Sequence, residues 1–221
     1  MHFSNPVQIL LLYSMLAFVS YIESHEFRDE APFLHVLPVI TLAALTLPLT
    51  MEKKPKLCTA ASFLALAEGH YIQIVSRRGA EWSCVLIAIS HLFYLASFVS
   101  YVRKIWYQIC VPIIICYFSL IYHCFGDIYW SFPMLTVLNA LQIAIICGSL
   151  IAAASLWRWN SATGASQADL VRFIGLLLCF GCSSLVIISR FGVRIDKFSF
   201  TTKTLSYIAQ GLLFLANERA F

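Results

Sequence analysis

The sequence predicts an all-α, polytopic transmembrane helix bundle of about eight spans in a single integral membrane domain over residues 1–221, and three observations carry that prediction. Of 221 residues, 60% are apolar and only 12% carry a formal charge, whereas a soluble domain is about a quarter charged. The apolar residues run in continuous blocks rather than alternating, which is the signature of membrane helices and not of a barrel. Each block matches the roughly 20 residues needed to cross a hydrocarbon layer of about 30 Å, and little chain is left over for a soluble domain.

The elements follow in order. Residues 1–22 contain no Asp, Glu, Lys or Arg. With no basic residue ahead of the apolar run and no clean cleavage site behind it, this block reads as a retained span over about 7–22. The charge-free stretch 31–51 predicts a second span over 33–50. A third, at 57–76, carries Glu68 and His70. The charge-free stretches 82–102, 105–126 and 128–157 give spans at 82–102, 105–124 and 133–157. The seventh falls at 170–189 and the eighth at 198–217, where Lys203 lies close enough to one end for its stem to reach the headgroups. All must be helical, because in lipid the backbone has to satisfy its own hydrogen bonds. Lys and Arg divide almost evenly between the two sides, with a slight excess that favours both chain ends in the cytoplasm.

A net charge of +4, scattered in pairs, makes no basic face and excludes a nucleic-acid module. The eight cysteines all lie in or beside apolar blocks and read as small hydrophobes. Cys179 and Cys182 form a CxxC with no second pair at ligand spacing, so neither a metal nor any other cofactor is expected. Serine elbow, zinc helix, phosphate loop and dinucleotide fingerprint are all absent.

Ionisable groups at membrane depth are costly, by about 2.5–3.5 kcal/mol for Asp, Lys or Arg, which makes each a candidate for function. Glu68, His70, His91 and His123 are such groups. Glu68 and His70 are two apart and point to different sides of a helix unless Gly69 bends it. His91 and Tyr94 share a face, as do Tyr207 and Gln210, and these four are candidates to line one polar cavity; Ser183 and Ser184 are further polar groups in the seventh span. Asn139 and Gln142 read as bonds between helices.

Several of these segments stand in the same order as in the lysoplasmalogenase, or YhhN-like, family of eight-span membrane proteins. Pro38 in the second span, the segment 63–73, and Ser90-His91-Leu92-Phe93-Tyr94 are similar to motifs of that family. So are Cys182-Ser183-Ser184-Leu185 leading to Ser189-Arg190-Phe191, and Ser206-Tyr207-Ile208-Ala209-Gln210. The resemblance implies hydrolysis of the vinyl ether bond of a lysoplasmalogen to a fatty aldehyde and a glycerophospho-amine, with a lysophospholipid or ether lipid as the substrate. It also implies a location in the endoplasmic reticulum. Such chemistry suits two carboxyl groups, one protonating the alkenyl carbon and one steadying the cation or activating water. The chain departs from the family at both positions, with His70 and Ser183 where the resemblance places aspartates. Glu68, His70 and Ser183 are therefore the catalytic candidates, with His91, Tyr94, Ser184, Tyr207 and Gln210 lining the substrate cavity. The alternatives are a homologue that binds lipid without turnover, and a small transporter or partner protein.

Overall fold

The computed structural model describes residues 5–24, 31–76, 79–126, 129–159, 165–191 and 198–221. Among them are eight α-helices and one short 3-10 turn. They are α1 (Pro6–Glu23), α2 (Pro32–Thr46), α3 (Lys53–Val75), α4 (Ala80–Phe98, continued by the 3-10 turn Val99–Tyr101), α5 (Tyr107–Phe125), α6 (Pro133–Trp159), α7 (Ser166–Phe191) and α8 (Phe198–Ala220). No strand occurs among the described residues. Proline opens three of the helices, at Pro6, Pro32 and Pro133, where its missing N–H would be unpaired in any case and its fixed φ suits the first turn. The Asn5 side chain caps α1 by accepting from the Val7 amide at 3.0 Å.

Five helices (α1, α4 with its 3-10 turn, α5, α6 and α7) are long and apolar enough to cross a membrane. Their outward faces carry large apolar side chains such as Phe18, Ile115, Phe118 and Leu141. A water-exposed protein does not tolerate apolar surface on that scale, and the chain is an integral, multi-pass membrane protein. The second helix is shorter than the expected span at 33–50: α2 ends at Thr46, and its 15 residues cover about 22 Å at 1.5 Å per residue. Helices α3 and α8 are long enough, at 23 residues each, but are diluted by Lys53, Lys54, Lys56 and Glu68 in one and by Lys203, Glu218 and Arg219 in the other.

The helices alternate in direction. Arg172, early in α7, meets Asn217, late in α8, and Asn217 in turn meets Thr59 of early α3 and Ser97 of late α4. These contacts define the near end of the bundle, where α8 finishes. At the far end, His35 of early α2 lies 3.5 Å from Ser20 of late α1 and 3.4 Å from Lys203 of early α8. Side by side, the order is α1, α2, α3, α4, α6, α7, α8 and back to α1, with α5 packed outside α6 and α7. Small residues permit the closest approaches. A Cβ on Gly69 would lie 2.9 Å from Ile87 of α4, and one on Gly175 would lie 2.8 Å from Leu213 of α8. Gly69 therefore serves packing, and α3 runs through it as one continuous helix.

A polar hub closes the near end. Arg172 and Asp169 are 1% and 0% exposed and form an ion pair at 2.6 Å. The guanidinium also donates to Asn217 Oδ1 at 3.3 and 3.2 Å, from Nε and Nη2, and is flanked by the rings of Phe98 and Phe221, with centroids at 4.9 and 5.5 Å. Asn217 passes the connection on, donating to Thr59 at 2.7 Å and to Ser97 at 3.0 Å. The second oxygen of Asp169 has no hydrogen-bond partner, so desolvation of the pair is incompletely offset. Removing one partner of such a pair strands a buried charge, whereas replacing both need not destabilise. Arg172→Met is accordingly expected to destabilise the protein in detergent by about 3–5 kcal/mol, and Asp169→Leu added to it to recover most of the loss. Thermal unfolding of the two variants checks this.

Candidate functional site

Each helix around the interior carries a stripe of residues three or four apart, the spacing that keeps side chains on one face. On α3 the stripe is Ser62, Leu66, His70 and Gln73; on α4 it is Cys84, Ile87, His91 and Tyr94. Helix α7 contributes Cys179, Ser183, Val186 and Arg190, and α8 contributes Lys203, Ser206, Gln210 and Leu213. Asn139 and Gln142 of α6 complete the wall. These stripes enclose two adjoining chambers. The inner one is about 90 Å³ and the outer, toward the far end, about 270 Å³. They share the wall residues His70, Gln73, Arg190, Ser206 and Gln210, and together they make up the cavity. The inner chamber alone has room for several waters.

The floor is built on the near-end hub. Tyr94 donates from its hydroxyl to the Leu213 carbonyl at 3.1 Å. Its ring meets Phe98 edge-on at 5.6 Å, and Phe98 lies under Arg172. The lining on α8 extends from Lys203 to Leu213, about 15 Å at 1.5 Å per residue, or half the hydrocarbon thickness. The cavity reaches about half-way into the bundle, its wall mixing polar groups with apolar side chains such as Phe63, Leu66, Ile87 and Val186.

Several lining groups are held in place by neighbours. Ser62 and Ser90 lie 3.3 Å apart, Cys84 donates to Asn139 Oδ1 at 3.6 Å, and Gln210 donates to Ser206 at 2.8 Å. At the outer wall, Tyr207 donates to the His35 carbonyl at 2.7 Å and Tyr13 to the Tyr207 carbonyl at 2.7 Å. Tyr207 thus lies between the cavity and an open apolar groove of about 450 Å³ between α1 and α8. His91 and Gln142 are different. Both are buried and face the inner chamber, and no hydrogen bond among the described residues involves either.

The predicted site residues divide accordingly. His70, His91, Tyr94, Ser183 and Gln210 converge on the inner chamber, and Tyr207 lines the outer one. Glu68 does not join them: it is exposed on the opposite side of α3, as two helical steps of 100° dictate once Gly69 leaves the helix straight. Ser184 also misses the lining. One step past Ser183, its hydroxyl is buried without a hydrogen-bond partner. Asn139, expected as a bond between helices, does accept one from Cys84 of α4, and both it and Gln142 also line the chamber. Sequence reasoning missed Gln73, Arg190 and His35 as lining residues, although the first two continue the stripes begun by His70 and Ser183 at three- and seven-residue steps. Among the described residues no three His, Cys, Asp or Glu groups converge in a way that could hold a metal ion.

No family of known proteins, no curated protein and no solved structure matches the chain. The site is therefore read on its own chemistry. A group kept for packing costs stability when removed, and one kept for a ligand does not. His91→Leu is expected to change stability by less than about 1 kcal/mol, because no internal hydrogen bond is lost. Asn217→Leu should cost more than about 2 kcal/mol, because it removes bonds to a buried guanidinium. A large loss of thermal stability in His91→Leu would make the imidazole a structural group.

Proposed function

We propose that the cavity holds a single-chain amphipathic lipid of the lysophospholipid or ether-lipid class, and that the protein binds this lipid without the two-carboxylate hydrolysis that the family resemblance implies. The observation that carries the proposal is the lining itself. Hydroxyls, amides, imidazoles and two cations face the chambers, and among the described lining residues there is no carboxylate. Protonating an alkenyl carbon calls for a positioned acid, and collapse of the resulting cation calls for a base or a counter-charge. His70 and Ser183, standing where the resemblance places aspartates, do not reproduce that pair, and Glu68 is exposed on the other side of its helix. The floor at Tyr94 and Leu213 favours a binding pocket over a transport path. An endoplasmic reticulum location belongs to the same proposal and rests on the resemblance.

One observation favours a second reading. His70 and His91 line the same inner chamber, which has space for water. In a lysoplasmalogenase-like hydrolase built on these residues, one imidazolium gives its proton to the alkenyl carbon. The other, neutral, takes a proton from the water that adds to the oxocarbenium carbon, and the hemiacetal collapses to aldehyde and glycerophospho-amine.

The test is incubation of the purified chain with a 1-alkenyl-glycerophosphoethanolamine, following bound lipid and released aldehyde together. Saturable binding that is lost when Ser62→Phe fills the inner chamber, with no aldehyde above the uncatalysed rate, is the expected result. Aldehyde release that disappears in both His70→Ala and His91→Ala would transfer the assignment to the hydrolase.

A further inference from the structure

Two buried polar side chains in the wall of the inner chamber are left with nothing to bond among the described residues. His91 of α4 and Gln142 of α6 are 6% and 9% exposed, and both face the chamber. Their neighbours are already engaged: Ser62 with Ser90 at 3.3 Å, Tyr94 with the Leu213 carbonyl at 3.1 Å, and the Asn139 amide with the Leu135 carbonyl at 2.8 Å. The contact of Cys84 with Asn139 at 3.6 Å sets α4 and α6 level, and both helices run toward the near end. His91 stands seven positions past Cys84 and Gln142 three past Asn139, so their levels differ by about one turn, or about 6 Å. A short group between them can reach both. Buried polar groups are almost always bonded, so a ligand or water completes these two. We propose that His91 and Gln142 form a subsite for the unesterified glycerol hydroxyl of a single-chain lipid, and that this subsite selects such a lipid over one whose hydroxyl is blocked.

The pairing of an imidazole with a carboxamide selects an alcohol. Together they offer ring and amide N–H donors, a bare ring nitrogen and an amide oxygen. A hydroxyl donates through its hydrogen and accepts through its lone pairs, so it serves a donor and an acceptor at once; an ether or ester oxygen only accepts and leaves an acceptor in the wall unpaired. Position agrees with an uncharged group. The cation among the described lining residues, Arg190, is exposed in the last turn of α7 at the far end, whereas His91 adjoins the Ser62–Ser90 contact in the near half of α3. Size agrees too. A chamber of about 90 Å³ takes a few groups the size of water, enough for a hydroxyl and the carbon that bears it but not for a second acyl chain. The inference rests on the lipid-cavity reading and names the feature by which that cavity discriminates.

Equilibrium binding of three probes with one chain length to the full-length protein in detergent tests it: a 1-alkyl-glycerophosphoethanolamine, which has no vinyl ether to hydrolyse, its 2-deoxy analogue, and its 2-O-methyl ether. The wild type should prefer the hydroxyl-bearing probe over both others by about tenfold or more. In His91→Leu/Gln142→Met the preference over the deoxy probe should fall to near unity while affinity for the deoxy probe is retained. His91→Gln, which keeps a donor and an acceptor and guards against a folding defect, should preserve most of the preference. Equal wild-type affinity for the hydroxyl and deoxy probes would overturn the subsite, assign the two side chains to bound water, and leave the lipid cavity standing. A preference that survives in the double variant, or a parallel loss of both probes there, would also overturn it. If the wild type binds none of the three, the lipid reading fails and this inference fails with it.

Discussion

One guanidinium holds the near end of this bundle together. Arg172 is fully enclosed, paired to Asp169 on its own helix, bonded to Asn217 on α8 and pressed between Phe98 and Phe221. Through Asn217 the same network reaches Thr59 and Ser97, so four helices, α3, α4, α7 and α8, are fixed at one level by a single connected set of polar groups. In lipid there is no hydrophobic force to pull helices together, and small-residue packing and interhelical hydrogen bonds do that work. A buried network satisfied on most sides also selects one arrangement, since any slip of one helix would leave a charge stranded.

The cavity depends on that closure. Its floor, Tyr94 against Leu213, rests on Phe98 and so on the hub, while the far end of the bundle stays open enough to form two chambers. The interior is thereby divided lengthwise, with a tight polar seal at one end and a pocket of mixed polar and apolar lining at the other. Apolar clusters flank the division. Phe63 and Leu66 belong to the cluster built on α1, α2, α3 and one side of α8, and Tyr94, Ile187 and Leu213 to the one built on α4 to α7 and the other side of α8, and all five face the inner chamber. The pocket lies along the seam where the two clusters meet. Polar side chains occupy that seam, and their desolvation would be costly in a dry core. Buried His91 and Gln142, with no hydrogen bond among the described residues, are the clearest instance. They are what a site for a polar ligand or ordered water requires.

Much of the fold was legible from spacing and composition. Four of the five long apolar helices announce themselves as charge-free runs of the right length, and the shared faces of His91 with Tyr94 and of Tyr207 with Gln210 follow from the helical repeat alone. The short second helix was masked by hydropathy, since residues 47–50 continue the apolar run; the stop signal is Pro48, directly after the C-cap Leu47, and the turn into α3 is held where Lys56 reaches back to the Leu49 carbonyl at 3.1 Å. The Asp169–Arg172 pair was equally hidden. At a spacing of three, ahead of an apolar run, it looks like an exposed helix start, and only the approach of Asn217 and two aromatic rings buries it.

The amino-acid sequence alone determined that this chain is an all-α membrane protein and which residues share a helical face, because both follow from local hydropathy and a repeat of 3.6 residues per turn. It did not determine which faces meet. That Glu68 looks outward while His70 and Ser183 share a chamber, and that Arg190 and Lys203 converge at its mouth, depends on each helix's rotation about its axis and on its choice of neighbours. Those are decided by contacts between residues more than a hundred positions apart, such as Asn217 with Thr59 and with Ser97, whose energy exists only once the bundle has assembled.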